Sequence, residues 1–256
     1  MNYDTIEVHL SSEVACVSMN RPEVMNALNT QMRAEITDAY KRLAPQARVI
    51  VLTGRGKAFC SGQDLGDRAN AAQLDLERTL RDEYEPMLRA IIECRIPTIT
   101  ALNGAAAGAG ANLALASDVV IASKSSYFMQ AFTKIGLIPD AGGTYLMPRT
   151  MGLAKAMGAA LFAEKISAEE ADEWGLIWES VADDEYRECL LKADVLTAEA
   201  PDFKLLETML WNADEGFFLL DGHLRRLSRS AAFFGFPLRT ADLRRHLQRL
   251  EVSMSG

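Results

Sequence analysis

Apolar positions along this chain change period several times, and each change marks a predicted element. Residues 5–10 (TIEVHL) and 14–19 (VACVSM) are short and β-rich on either side of polar Ser11-Ser12-Glu13, which predicts a hairpin. Between 30 and 43 the residues Met32, Ile36, Ala39, Tyr40 and Leu43 recur at helical spacing. Residues 48–53 (RVIVLT) read as a strand buried on both faces. A long helical pattern then runs from about 72 to 93. Strand 97–102 (PTITAL), a glycine-rich turn, a short apolar helix from about 109 and strand 118–122 (DVVIA) follow. Ser167, with Glu170 three residues on, predicts a capping box at a helix start. This alternation predicts an α/β core. From about 183 onward the pattern is helical only, so the expected division is a core over 1–190 and a helical region over 191–256.

A length of 256 residues suits one large domain or a domain with an appendage. The net charge of −8 argues against nucleic acid or an anionic membrane as partner. A polyanionic ligand would need a local site built from backbone N–H groups, helix N-termini or a few basic side chains. Cys16, Cys60, Cys94 and Cys189 are dispersed, with no CxxC and no Cys/His cluster, which predicts reduced thiols and no metal site. The start shows no basic region followed by an apolar run, and no apolar stretch reaches about 18 residues. A cytoplasmic protein is expected.

Three segments invite chemistry. Ala58-Phe59-Cys60-Ser61-Gly62-Gln63-Asp64-Leu65 follows one buried strand, and Asn103-Gly104-Ala105-Ala106-Ala107-Gly108-Ala109-Gly110-Ala111-Asn112 follows another. Small residues let a ligand approach the backbone, and two converging N–H groups would make an oxyanion hole. The same composition would also serve tight helix–strand packing. A dinucleotide site fits poorly, because Leu113 stands where the third glycine of GxGxxG belongs. Gly54-Arg55-Gly56-Lys57 lacks the spacing of a P-loop and the hydroxyl that would follow its lysine. In the third segment, Gly136 to Thr144, Asp140 sits in a Pro/Gly turn among apolar neighbours. It reads either as a turn or helix cap or as a general base with a raised pKa.

Taken in order, these segments resemble the enoyl-CoA hydratase/isomerase (crotonase) superfamily. Asn20 to Leu28 looks like its first coenzyme-A segment, AFCSGQDL and NGAAAGAGANLALASDVVIA like its two oxyanion segments, and GLIPDAGGTYLMPR like its catalytic turn. The resemblance implies a crotonase (ClpP-like) spiral of ββα units with a helical C-terminal trimerisation region, assembled as a homotrimer or hexamer. It implies an acyl-CoA substrate, with coenzyme A carried in the thioester and no separate cofactor. The coenzyme-A positions it implies are Glu23, Met25, Ala27, Ser61, Gln63, Asp64, Leu65 and Gly108. The N–H groups of Gln63 and Ala109 would hold the thioester oxygen.

Hydratases of the superfamily use two glutamates, and the matching positions here are Asn112 and Phe132. Asp140 is the one carboxylate left in a catalytic position. With the turn IPDAGGT, it resembles the 1,2-epoxyphenylacetyl-CoA isomerases of aerobic phenylacetate breakdown, which also shift 3-enoyl-CoA double bonds to the 2-position. The implied function is an isomerase working through a thioester enolate, with Asp140 as base. The alternatives are hydration, naphthoyl-CoA synthesis, thioester hydrolysis, or acyl-CoA binding without turnover. The end departs from the resemblance: in place of the usual final helix the chain runs Thr240 to Leu250, rich in arginine and read as a solvated face or a contact for coenzyme-A phosphates. His9, His223 and His246 lie outside every matched segment and read as structural or surface residues. Phe128, Met129, Phe132 and Met87 are candidates for an acyl pocket, and Trp174 and Trp178 for packing.

Overall fold

The computed structural model describes residues 2–64, 66, 76–183, 211–212, 216–217, 220–233 and 237–254. Leu65, Cys189, the start of the predicted 72–93 helix and the 190/191 division lie outside them. The chain forms two compact units, Met1–Ala198 and Glu199–Gly256.

In the first unit, β1 (Ile6–Ser11) and β2 (Val14–Met19) pair antiparallel with Ile6 opposite Met19, as a hairpin requires. Asn29 accepts a hydrogen bond from the Met32 N–H at 2.8 Å and so starts α1 (Thr30–Leu43). The helical stripe Met32, Ile36, Ala39, Tyr40 and Leu43 is at most 1% exposed. Burying each of the larger side chains contributes about 1.5–3 kcal/mol.

The rest of the core repeats one plan: a longer strand, a three-residue strand, then helix. β3 (Val49–Gly54), β5 (Thr98–Leu102) and β7 (Val119–Ser123) join a six-stranded sheet with order β1-β2-β3-β5-β7-β10, where β10 is Glu179–Val181. Every pairing after the first hairpin is parallel. β4 (Ala58–Cys60), β6 (Ala105–Ala107) and β8 (Tyr127–Met129) turn aside into a second sheet, which β9 (Lys165–Ser167) closes antiparallel. The helices of this plan are α2 (Leu76–Thr79), a π-helical turn Leu80–Tyr84, α3 (Glu85–Ile92), α4 (Ala109–Ala114), α5 (Gly143–Thr150), α6 (Leu153–Phe162) and α7 (Ala168–Glu173). The expected α/β spiral of ββα units is thus present. The capping box at α7 also forms: Ser167 Oγ accepts from the Glu170 N–H, and the Glu170 carboxylate accepts from the Ser167 N–H.

In the second unit, α8 (Leu220–Phe233) and α9 (Thr240–Met254) are joined by an Arg244–Asp221 ion pair. The expectation of helix alone after 183 needs correction. β11 (Trp211–Asn212) and β12 (Gly216–Phe217) pair antiparallel, with Trp211 opposite Phe217. Two aromatics bracketing the Asn/Asp/Gly-containing stretch 212–216 are a hairpin signal too short for periodicity to show. On α9, Arg245 and Arg249 face solvent.

Candidate active site

β4 and β6 are parallel neighbours, so the two glycine-rich segments leave one end of the small sheet side by side. The packing there is too close for side chains. A Cβ on Gly110 would lie 2.4 Å from the Cys60 carbonyl oxygen, and one on Gly62 would lie 2.8 Å from that of Ala107. Gly62 also turns at φ +96, a conformation L-residues rarely adopt. Just beyond it, Leu28 and Gln63 form a parallel bridge: the Leu28 N–H donates to Gly62 at 2.8 Å, and the Asp64 N–H donates to Leu28 at 3.0 Å. This turns the Gln63 N–H to the opposite edge, the side of β6 and Ala109. Ala109 is the first residue of α4, whose N–H has no acceptor within the helix. Among the described residues neither N–H meets a protein acceptor.

The Gln63 side chain is clamped from behind. Its Oε1 accepts from Tyr84 Oη at 2.6 Å and from Arg33 Nη1 at 3.0 Å. Arg33 is 2% exposed, donates to the Leu28 carbonyl at 2.7 Å, pairs with Glu83 and lies over the Tyr84 ring at 4.7 Å. Burial raises the Tyr84 pKa, so its hydroxyl is a donor at any ordinary pH. Nothing in the sequence pointed to this cluster: Arg33 reads as one more polar residue of α1, and its partners stand 30 and 50 positions away.

The segment Asn20–Leu28 is zipped to the same loop. The Ser61 N–H donates to Met25 at 3.0 Å, and Ser61 Oγ donates to Val24 at 3.3 Å. Met25 and Asn26 both take left-handed backbone, at φ 53 and 54. Asn26, fully buried, holds that turn by donating to the Arg55 and Ala58 carbonyls and accepting from the Arg21 N–H. Glu23 and Met25 are exposed, Ala27 is buried and Ser61 is partly exposed. The Asp64 carboxylate is already engaged, by Arg21 at 2.7 Å and by the Gly66 N–H at 2.8 Å.

Asp140 faces a cavity of about 790 Å³ between the α2–α3 helical wall and α5, whose apolar lining includes Leu80, Leu88, Ile92 and Leu146. Its Oδ1 is buried without a hydrogen-bond partner. Desolvation raises its pKa from 3.8 to about 6, although its own backbone N–H acts the other way. The capping reading fails: the cap of α5 is Gly142, and no side chain caps that helix. The turn after Asp140 is strained at Ala141, an L-residue at φ 45, and continues through Gly142 at φ 82, which glycine adopts freely. The other carboxylates on the cavity wall, Glu77, Glu85 and Glu93, are exposed and paired with Arg81 or Arg89.

Met87 and Phe128 are core, at 0% and 1% exposure, and Phe132 packs 3.8 Å from where a Cβ on Gly108 would stand. The cavity that Asp140 faces is lined instead by the helical wall and α5. Trp174 packs on the core beneath Lys155, but Trp178 is 69% exposed and packs on nothing comparable.

The profile of the enoyl-CoA hydratase/isomerase family matches residues 9–204. The chain belongs to the enoyl-CoA hydratase/isomerase family. A protein of Rhodobacter capsulatus named probable enoyl-CoA hydratase is 63% identical over 183 residues, 72% of this chain and 71% of that one. The 1,2-epoxyphenylacetyl-CoA isomerase of Escherichia coli K12 is 46% identical over 182 residues, 69% of each chain. Among solved structures, the enoyl-CoA hydratase of Bacillus anthracis superposes with a TM-score of 0.70 at 31% identity, covering 77% of this chain and 78% of that one. These likenesses establish the crotonase fold and leave the choice of reaction to the side chains.

Proposed function

We propose that this family member is an acyl-CoA isomerase acting through a thioester enolate. The observation that carries the reading is one desolvated carboxylate, Asp140, in an apolar cavity, with no second acid at the positions where a hydratase needs one. Asn112 and Phe132 occupy those positions, and neither transfers a proton. A double-bond shift needs only one base. Asp140 removes a proton from C2, the Gln63 and Ala109 N–H groups stabilise the enolate oxygen, and the proton returns at C4. Such donors are commonly worth about 3–4 kcal/mol each in the transition state. The proposed substrates are a 3-enoyl-CoA or a ring-1,2-epoxyphenylacetyl-CoA, the latter prompted by the E. coli relative's name.

Coenzyme A enters as part of the substrate. Its positions in this reading are Glu23, Met25, Ala27, Ser61, Gln63, Asp64, Leu65 and Gly108. Asp64 serves structurally, through Arg21, since its carboxylate is engaged.

The name of the R. capsulatus relative favours hydration as a second reading. Incubation with a 3-enoyl-CoA in D2O, followed by mass spectrometry, separates the two. Deuterated 2-enoyl-CoA supports the isomerase. A 3-hydroxyacyl-CoA formed at a comparable rate supports the hydratase.

A further inference from the structure

Asn112 and Gln130 place two side-chain amides in the core, at 0% and 2% exposure. Buried amides are costly unless bonded; Gln130 Oε1 is buried without a partner, and the bonds that do form run in one direction. Gln130 Nε2 donates to Asn112 Oδ1 at 2.9 Å, which fixes the orientation of the Asn112 amide. Asn112 Nδ2 then donates to the main-chain carbonyl of Asp140 at 2.8 Å. That carbonyl accepts a second bond, from the Gly143 N–H at 2.9 Å. Gly143 makes room for the amide: a Cβ there would lie 2.4 Å from Asn112 Nδ2. Beyond the held carbonyl comes the strained Ala141, while the Asp140 carboxylate keeps an unpartnered oxygen. The relay therefore secures the backbone of Asp140 and spends nothing on its side chain.

We propose that Asn112, oriented by Gln130, is a positioning residue that holds the Asp140 turn so that the carboxylate stands free to take a proton. The inference rests on the reading of Asp140 as the base. A purely structural role would make Asn112 matter for stability alone. A positioning role makes it matter for proton transfer at unchanged ligand affinity, because a displacement of about 1 Å at a catalytic group costs on the order of 10²-fold in rate.

The test measures deuterium wash-in at C2 of a 3-enoyl-CoA across pH 4–9 for wild type, Asp140→Asn, Asn112→Ala and Gln130→Leu. Melting temperatures and coenzyme-A thioester affinities are measured beside it. The expected result is a loss of about 10²-fold in kcat for Asn112→Ala and a smaller loss for Gln130→Leu. KM should hold for both, and the acid limb of the profile should move. Around the cavity, Glu77, Arg81, Tyr84, Glu85, Arg89 and Glu93 stand on the helical wall and Tyr145 on α5. Neither substitution removes a contact made by any of these, so a moved limb reports Asp140. Wild-type wash-in and an unmoved limb in both variants would overturn the relay, whatever the melting temperatures, and leave the base reading intact. Wild-type protein that exchanges no faster than Asp140→Asn would overturn the base reading itself, and the relay with it. If Asn112→Ala does not fold, Gln130→Leu decides alone.

Discussion

A carboxylate with one oxygen buried and unpartnered is disfavoured as an anion, and Asp140 carries that cost at neutral pH. Its pKa is raised in the folded state, so the associated stability is present below about pH 4 and lost as pH rises through about 6. The full shift would correspond to about 3 kcal/mol, and partial exposure reduces it. Asp140→Asn should therefore be about 1–2 kcal/mol more stable than wild type at pH 8, with no gain at pH 3. Urea denaturation at the two pH values checks this, and an equal gain at both would exclude desolvation as the cause. The same shift predicts that kcat/KM rises with pH through an acid limb near 6. Ala141 offers a second residue-scale expectation. Its left-handed backbone costs about 1–2 kcal/mol in an L-residue. Ala141→Gly should match or exceed wild-type stability and yet react more slowly, because the turn under Asp140 loosens. The carboxylate's place in the site was legible from a lone acid in a Pro/Gly turn. Its held carbonyl was not, because Asn112 stands 28 positions away in the chain.

At the scale of elements, local signals were good where they were long. The stripe of α1, the buried runs of β3 and β5 and the Ser167 capping box all stand in the sequence. The three-residue strands β4, β6, β8 and β9 do not, because alternation cannot show in so few positions. The π turn at Leu80–Tyr84 is a change of backbone hydrogen-bond register and leaves no side-chain pattern. That turn directs Tyr84 to Gln63. Tyr84→Phe removes one buried hydrogen bond, which typically costs about 0.5–1.5 kcal/mol. A fall of less than about tenfold in kcat/KM should accompany it, far below the loss expected at the base. Thermal melts and steady-state kinetics together check the pair of values.

At the scale of the molecule, charge and composition argue against nucleic acid and anionic membrane as partners and name none. The acyl-CoA reading came from the order of segments, and the structure brings three of them together at the ends of β4 and β6. The exposed stripe Leu153, Met157 and Leu161, with Phe162 beside it, recurs at helical spacing on α6. Contiguous exposed apolar surface marks protein contact, so this stripe is where the homotrimer or hexamer implied by the resemblance would be tested. Leu153→Ser combined with Leu161→Ser should yield a smaller species by light scattering. An unchanged mass would remove α6 from the assembly.

The central claim is that a single carboxylate moves the proton. Its most direct test is the rate of 3-enoyl-CoA isomerisation by Asp140→Asn beside wild type, with thioester affinity measured on both. The account predicts a fall in kcat at the upper end of what one acid–base group supplies, about 10⁴-fold, at nearly unchanged affinity. An Asp140→Asn enzyme that keeps its rate within tenfold would contradict it, and the base would have to be sought elsewhere on the cavity wall.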